Sequence, residues 1–201
     1  MKLHGFPGTR TNRVRWLLEE IGAEYDFLQV DVQHGAHKTA EHRALHPHGL
    51  VPVLQDGDSQ LIESCAMLLH LADRHPERGL APPVGSEERG RYYQWIVYAA
   101  ATLDEPAIET YFHTVVLPEE RRKPEVLERH RPRLEVALPF LAASLGEQPY
   151  LIGERFTAAD VAVGYPLNLL ERAGQLGRFS RVRDYLERLR SRPAFQRVFT
   201  T

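Results

Sequence analysis

The sequence predicts an α+β domain with a mixed four-stranded sheet, followed by an all-α domain. Short apolar runs alternate with amphipathic helical patterns up to about residue 75. A stretch rich in proline and glycine follows, and beyond it the apolar residues recur only at helical spacing. We therefore place the first domain at residues 1–76, a linker at 77–86 and the all-helical domain at 87–201.

The first elements follow the order strand, helix, strand, helix. Residues 2–6 form a short strand that Pro7-Gly8 interrupts. Apolar and polar residues alternate over residues 25–32, which predicts a second strand. Residues 38–46 are long enough for a short helix. Between the strands, apolar residues at i, i+3, i+4 and i+7 predict a helix before Gly22, and they are Val14, Leu17, Leu18 and Ile21.

A β-hairpin and a third helix complete this domain. Val53-Leu54 and Leu61-Ile62 flank an Asp-Gly turn, which is the local pattern of a hairpin. An apolar helical pattern then runs from Ser64 to about His75. The β-α-β crossover requires a parallel pair of strands and the hairpin requires an antiparallel pair, so the sheet is mixed. This order of elements is that of a thioredoxin-like domain.

Four helical patterns and one capping motif make up the second half. In the motif, Thr157 and Asp160 have the spacing of a capping box, where each side chain accepts a hydrogen bond from the backbone N–H of the other residue. We assign this pair to folding and not to catalysis. The apolar positions of the helices are Tyr92, Ile96, Ala99 and Leu103; Leu134, Leu138, Leu141 and Leu145; residues 161–170; and Val182, Tyr185, Leu186 and Leu189.

Composition excludes several classes of function. The 25 Lys+Arg and 27 Asp+Glu leave a net charge of −2, which argues against nucleic acid and acidic membranes as partners. We find no apolar run that approaches a membrane span and no signal peptide after Met1, so we expect a cytoplasmic protein. A single cysteine, Cys65, excludes an internal disulfide and a Cys-x-x-Cys redox pair.

The stretch from Gly49 to Ser64 is the best candidate for a binding site. Proline has no backbone N–H, so Pro52 at the entrance to a strand indicates an edge, a bulge or a tight turn. A cis Val51-Pro52 bond would turn the backbone of Val51 outward toward an extended peptide, although only about 5% of such bonds are cis. Ser64, with Glu63 just outside it, is a natural N-cap of the third helix, and helix N-termini accept carboxylates.

Gly49 to Leu54 together with Glu63-Ser64 resembles the glutathione site of the glutathione transferases. The resemblance continues through Pro-Gly-Thr at 7–9, Gly-Ala-His-Lys at 35–38 and Gly-Glu-Arg-Phe-Thr-Ala-Ala-Asp at 153–160. It implies glutathione as co-substrate and a homodimer as the usual assembly. It also implies that Val51, Pro52, Glu63 and Ser64 bind glutathione.

The same resemblance implies which group activates the glutathione thiol. Pro7-Gly8-Thr9 matches the Pro-Gly-Ser of serine-type transferases, such as the bacterial theta- and delta-like ones, with threonine in place of serine. Thr9 is therefore the first candidate for the catalytic residue. Thr11 and Asn12 are alternative candidates for this role. A further alternative is that Thr9 only orders its loop. The first strand contains neither the tyrosine nor the cysteine of other transferase classes.

His37 and Lys38 resemble the loop whose histidine meets the glycine carboxylate of glutathione. An alternative is that the nearby histidines only form a polar surface. A metal site on His42 and His46, four residues apart, is a third interpretation, but without an acidic or sulfur ligand nearby we expect no metal. Many relatives have lysine at Leu50, so the resemblance implies that one cationic contact to glutathione is missing.

The second substrate would occupy a pocket between the domains, since pockets favour such interfaces. Its expected lining on the long helix is Tyr98, Thr102, Tyr111 and Phe112, which would take an apolar electrophile. The predicted function is that of a glutathione transferase acting on small electrophiles or reducing peroxides or disulfides with glutathione. The alternative is a transferase-like binding or regulatory protein that has lost turnover.

Overall fold

The computed structural model describes residues 1–200 and divides them into two compact units. Residues 1–80, together with the described residues from Pro193, form the first unit, and residues 81–192 form the second. The first unit contains the sheet and the second is helical apart from short β-bridges at Tyr150 and Ile152. The predicted fold class is therefore confirmed.

The sheet has four strands in the order β2-β1-β3-β4. Its strands are β1 (Lys2–Gly5), β2 (Asp26–Gln29), β3 (Val53–Asp56) and β4 (Ser59–Leu61). β1 pairs with β2 in parallel and with β3 antiparallel, so that Leu3 lies opposite both Phe27 and Leu54. The β3-β4 hairpin is antiparallel. The crossover and the hairpin thus give the mixed sheet that the sequence predicts.

Three helices of the first unit cover the sheet and carry its loops. They are α1 (Thr11–Ile21), α2 (Ala40–Leu45) and α3 (Ser64–Arg74). α1 ends where Gly22 adopts a left-handed conformation at φ 71°, which glycine accepts without a steric cost. The buried apolar stripes of α1 and α3 form the core with the strands, and their members include Leu3, Val14, Leu17, Leu18, Val53, Leu54, Met67, Leu68 and Leu71.

A last helix, α9 (Pro193–Phe199), packs on α1 of the first unit. The predicted domain boundaries assign these residues to the helical domain instead. The difference arises from contacts between aromatic rings. The ring of Trp16 lies 5.0 Å from that of Phe195 and 6.0 Å from that of Phe199, both edge to face. Arg197 also pairs with Glu19 at 2.8 Å.

The second unit contains five further helices in residues 81–192. They are α4 (Glu87–Tyr98), α5 (Asp104–Tyr111), α6 (Pro124–Leu145), α7 (Ala158–Arg172) and α8 (Ser180–Arg190). π-helical turns at Ala99–Leu103 and Phe112–Val116 join α4 to α5 and extend α5, so residues 87–116 form one helical run. None of the helices in residues 1–200 combines the length and apolar character that a membrane span requires.

Asp160 organises the centre of the helical unit. Its carboxylate accepts hydrogen bonds from the backbone N–H of Thr157 at 2.7 Å, which closes the predicted capping box, and from the Thr157 hydroxyl. It also accepts bonds from the backbone N–H of Leu151 at 3.0 Å and from the Tyr185 hydroxyl at 2.9 Å. Burial raises the pKa of Asp160 to about 6 because it disfavours the charged form more than these donors favour it.

Asp160→Ala should lower the free energy of unfolding of the helical unit by about 3 to 5 kcal/mol, because it removes the cap and leaves several buried donors without an acceptor. The exposed Asp184 in α8 provides the control, and Asp184→Ala should change stability by no more than about 0.5 kcal/mol. Urea unfolding followed by circular dichroism measures both. Equal midpoints for the two variants would contradict the role of Asp160.

The same comparison has a pH dependence whose sign follows from the raised pKa. The folded state holds a proton on Asp160 up to about pH 6, whereas the unfolded chain releases it near 3.8. The advantage of the parent over Asp160→Ala should therefore grow as the pH falls from 7 to 4, by about 2 kcal/mol. An advantage that shrinks over this range would show that the folded carboxyl has a depressed pKa.

Candidate active site

Thr9 lies in the loop between β1 and α1 and is half-buried. Its Oγ1 lies 2.6 Å from the backbone carbonyl of Phe6 and 2.8 Å from Oγ1 of Thr11. A threonine hydroxyl has one proton, so Thr9 donates to one of these oxygens at a time. Thr11 can donate to Thr9 in turn. The Thr9 proton therefore goes to Phe6 in this conformation or to a ligand atom that replaces that carbonyl.

Thr11 and Asn12 hold the loop from beneath. Both are buried, and Thr11 Oγ1 accepts the backbone N–H of Phe6 at 3.1 Å while Asn12 Oδ1 accepts that of Gly8 at 3.3 Å. Of the three candidates for thiol activation, Thr9 thus has the most accessible side chain. The side-chain oxygens of the other two accept hydrogen bonds from the backbone of its loop.

Ser64 is the first residue of α3 and is buried, whereas Glu63 is exposed. The cap position itself is occupied by Glu63, one residue earlier than the sequence indicates. Glu63 has a φ of 70°, the one positive value of a residue other than glycine within residues 1–200. Such a backbone costs about 1 to 3 kcal/mol and is found most often at functional sites.

Arg13 places a buried positive charge directly behind Ser64. The arginine is fully buried, and its Nη1 donates to Ser64 Oγ at 3.0 Å and approaches Cys65 Sγ at 3.4 Å. Because Ser64 accepts from Arg13, its own proton is directed elsewhere, and the α3 N-terminus adds positive potential. Arg13 is not among the site residues that the sequence predicts. The signal was present, since Arg13 is four residues before Leu17 and so borders the apolar stripe of α1.

The loop before β3 contains a cis peptide bond between Val51 and Pro52. Two side chains hold the residues that precede it. Lys38 Nζ donates to the carbonyl of Gly49 at 2.8 Å, and His42 Nε2 lies 2.8 Å from the carbonyl of Leu50. The Leu50 side chain itself is exposed.

His37 and Lys38 form a short 3-10 turn beside this loop. Lys38 also contacts the carbonyl of His48 at 3.3 Å, so two of its three ammonium protons are used within the protein. His37 is half-buried, and its Nδ1 lacks a hydrogen-bond partner among the described residues. Burial, helped by the charge of Lys38, lowers the pKa of His37.

The histidines near this loop do not form a metal cluster with other ligands. Across residues 1–200, no group of three or more His, Cys, Asp or Glu side chains comes together in a way that would hold a metal ion. His42 is committed to Leu50, and His46 is buried with its ring 5.9 Å from His48.

The residues expected to contact a second substrate lie in the helical unit. Tyr98 ends α4, where its ring contacts Trp95 and Phe140. Tyr111 is buried beneath the Arg172 guanidinium, 4.9 Å from its ring, whereas Phe112 is exposed. Thr102 lies in the π-helical turn after α4.

Comparisons with known proteins identify the family whose members share these features. Models of the N-terminal and C-terminal domains of glutathione S-transferases match residues 1–73 and 104–193. Glutathione S-transferase 4 of Zea mays is 31% identical over 193 residues, which cover 93% of this chain and 86% of the relative.

Solved structures extend the similarity to the fold. A glutathione transferase from Methylococcus capsulatus str. Bath superposes with a TM-score of 0.84 at 29% identity, over 99% of this chain and 97% of that one. A glutathione transferase of Phanerochaete chrysosporium in complex with oxidized glutathione gives 0.86 at 25% identity, over 99% and 94%.

Gly5→Ala should distort the loop that presents Thr9, because a Cβ at Gly5 would lie 2.1 Å from Cγ2 of the buried Thr11. Overpacking of this kind costs about 1 to 3 kcal/mol. The control is Gly90→Ala in α4, where an added Cβ meets nothing within 4 Å and the helix should gain about 0.5 to 1 kcal/mol. Urea unfolding of both variants measures the difference. A Gly5→Ala variant as stable as the parent would show that the contact relaxes freely.

Proposed function

The chain belongs to the glutathione S-transferase family and is a glutathione transferase, and on that premise we propose that Thr9 activates the thiol of bound glutathione. The supporting observation is that Thr9 is half-buried and carries a hydroxyl, in a loop whose other polar side chains, Thr11 and Asn12, are buried. The thiolate then attacks a small apolar electrophile. A sulfur-carbon bond forms, the leaving group departs with its electron pair, and the thiol proton goes to solvent.

A single hydroxyl can supply part of the free energy that lowers the pKa of the glutathione thiol. A free thiol has a pKa of about 8.5, and each unit of lowering requires about 1.4 kcal/mol. Donation to a charged sulfur supplies about 1.5 to 3 kcal/mol, but Thr9 must release Phe6, which costs about 0.5 to 1.5 kcal/mol. The net gain lowers the thiol pKa by roughly one unit. The nearby α1 N-terminus adds up to about 1 kcal/mol.

We propose that Ser64 and Glu63 hold the γ-glutamyl end of glutathione. The Ser64 hydroxyl and the α3 N-terminus complement a carboxylate, with the Arg13 charge behind them, while the exposed Glu63 complements the ammonium. The backbone of Val51 beside Pro52 would pair with the cysteinyl part of the tripeptide.

The glycine carboxylate of glutathione is proposed to lie near the 3-10 turn. His37 offers an imidazole, and Lys38 retains one ammonium proton after its two contacts to backbone carbonyls. Lys38 would act mainly through the loop that it holds. The exposed Leu50 supplies no charge there, so we propose a modest affinity for glutathione.

The second substrate is proposed to contact Tyr98, Thr102, Tyr111 and Phe112. Aromatic rings on this part of the helical unit suit a small apolar electrophile. Reduction of peroxides or disulfides would use the same thiolate with a different acceptor. The alternative is a non-catalytic role. The hydroxyl of Thr9 argues against it, because that group can donate a hydrogen bond to a thiolate.

Three further features are proposals. The Pro7-Gly8-Thr9 loop supports a relationship to bacterial theta- and delta-like serine-type enzymes, although the curated relative named above is from a plant. A homodimer is supported by exposed apolar side chains of the helical unit, which include Val97 of α4 and Val136 and Phe140 of α6. A cytoplasmic location is the third.

Two assays test the proposed function. The parent should be retained on immobilised glutathione and should conjugate glutathione to a generic aryl halide such as 1-chloro-2,4-dinitrobenzene. Retention without turnover would favour the non-catalytic alternative. Failure of both would contradict the proposal.

Ser64→Ala should raise the dissociation constant of glutathione about tenfold, because it removes a hydroxyl donor to a charged carboxylate. Ser59→Ala, an exposed serine in β4, serves as the control and should bind like the parent. Isothermal titration calorimetry measures both constants. Unchanged affinity in Ser64→Ala would remove Ser64 from the site.

Thr9→Val should lower kcat/KM about tenfold at pH 6.5, since the thiolate fraction falls tenfold for each unit by which the thiol pKa rises. The deficit should close toward pH 9, where the thiol ionises in both proteins. Thr9→Ser should keep or improve activity because serine has a freer rotamer. A deficit that is equal at all pH values, or one that appears in Thr11→Val but not in Thr9→Val, would contradict the assignment.

A further inference from the structure

The helical run that contains α5 ends in the π-helical turn at Phe112–Val116. Pro118 stops the run, because the residue before a proline avoids the helical conformation, and Leu117 accordingly has an extended backbone. The last bond of the turn joins the backbone N–H of Leu117 to the carbonyl of Phe112 at 2.9 Å. π-helical turns are rare and often occur at functional sites. This turn carries Phe112, which is exposed and is among the residues proposed to contact the second substrate.

The segment 117–123 folds back onto this turn before α6 begins. It contains a 3-10 turn at Glu119–Arg121, and Arg122 Nε donates to the carbonyl of Leu117 at 2.8 Å, which closes the segment on itself. At the end of the segment, the backbone N–H of Lys123 donates to Nδ1 of His113 at 3.0 Å. His113 is the second residue of the π-helical turn. Its ring therefore ties the end of the segment to the turn from which the segment departs.

His113 is buried, and its bond to Lys123 determines the tautomer of the ring. A backbone N–H can only donate, so Nδ1 accepts without a proton and the neutral imidazole carries its proton on Nε2. Nε2 lies 3.8 Å from Oε2 of Glu109, which is too long for a direct hydrogen bond. The described part of the chain offers the ring no other hydrogen bond. The acceptor at Nδ1 is thus what the imidazole contributes to this part of the helical unit.

We propose that His113 is a positioning residue for the second substrate, an inference that rests on the proposed contact of that substrate with Phe112. The two residues are adjacent in one turn, where His113 is buried and Phe112 is exposed. The bond to Lys123 holds the buried side, and the turn keeps the backbone geometry that presents the Phe112 ring outward. Loss of the acceptor leaves the Lys123 N–H without its partner and releases the segment 117–123.

Two substitutions at this position separate the acceptor from the rest of the ring. His113→Leu removes the acceptor, whereas His113→Asn retains an oxygen that can accept from the Lys123 N–H. KM for 1-chloro-2,4-dinitrobenzene should rise about fivefold in His113→Leu and stay within about twofold of the parent in His113→Asn. KM for glutathione should stay within about twofold of the parent in both. Equal values of the electrophile KM in the two variants would overturn the proposal.

Phe112→Ala separates this inference from the proposed function on which it rests. If the electrophile contacts Phe112, loss of the ring should raise KM for 1-chloro-2,4-dinitrobenzene about tenfold. A parent-like value in Phe112→Ala would contradict that contact and the inference together. A raised value in Phe112→Ala with a parent-like value in His113→Leu would overturn the inference alone.

Hydrogen exchange followed by mass spectrometry observes the segment 117–123 without turnover. Its amides should exchange about tenfold faster in His113→Leu than in the parent or in His113→Asn, because the segment opens locally. His75→Leu, the same change after the end of α3, is the control and should match the parent in exchange and in KM. Circular dichroism checks that the variants are folded. Unchanged exchange in His113→Leu would overturn the proposal, and so would faster exchange with an unchanged electrophile KM.

Discussion

A single buried arginine joins two of the elements that carry the proposed glutathione site. Arg13 is fully enclosed, and a charge without polar partners in that position would cost several kcal/mol. Its bond to Ser64 ties the first turn of α1 to the first turn of α3. Thr9 lies four residues before Arg13, in the loop that leads into α1, and α3 begins at the N-terminus that is proposed to receive the γ-glutamyl carboxylate. The same cation thus supports the fold and stands behind the proposed anion position.

The Thr9 loop shows a competition between structure and chemistry. The hydroxyl that is proposed to stabilise a thiolate already donates at short range to Phe6, and Thr11 supports it from below. A charged sulfur is the stronger acceptor, so it can displace the carbonyl, but only the difference between the two bonds lowers the thiol pKa. We therefore propose that threonine, in place of the serine of serine-type transferases, gives a modest activation from a loop that Thr11 and Asn12 hold in place.

The sequence predicted local patterns well and long-range contacts poorly. The crossover from Leu3 to Phe27 and the hairpin at Gly57 follow from periodicity and turn chemistry, and so does the capping box of Asp160. The bond from Tyr185 to Asp160 joins residues 25 positions apart, and no local rule predicts it. The packing of Phe195 on Trp16 was missed for the same reason, because an apolar helix pattern does not say which surface it covers.

The most direct test of the role of Thr9 is an ultraviolet titration of the thiolate of bound glutathione, in the parent and in Thr9→Val. The parent should show a thiol pKa at least one unit below the free value of about 8.5, and the variant should return to near that value. Glutathione should remain bound in both, as calorimetry under the same conditions would show. A variant that titrates like the parent would contradict the claim that Thr9 donates to the sulfur.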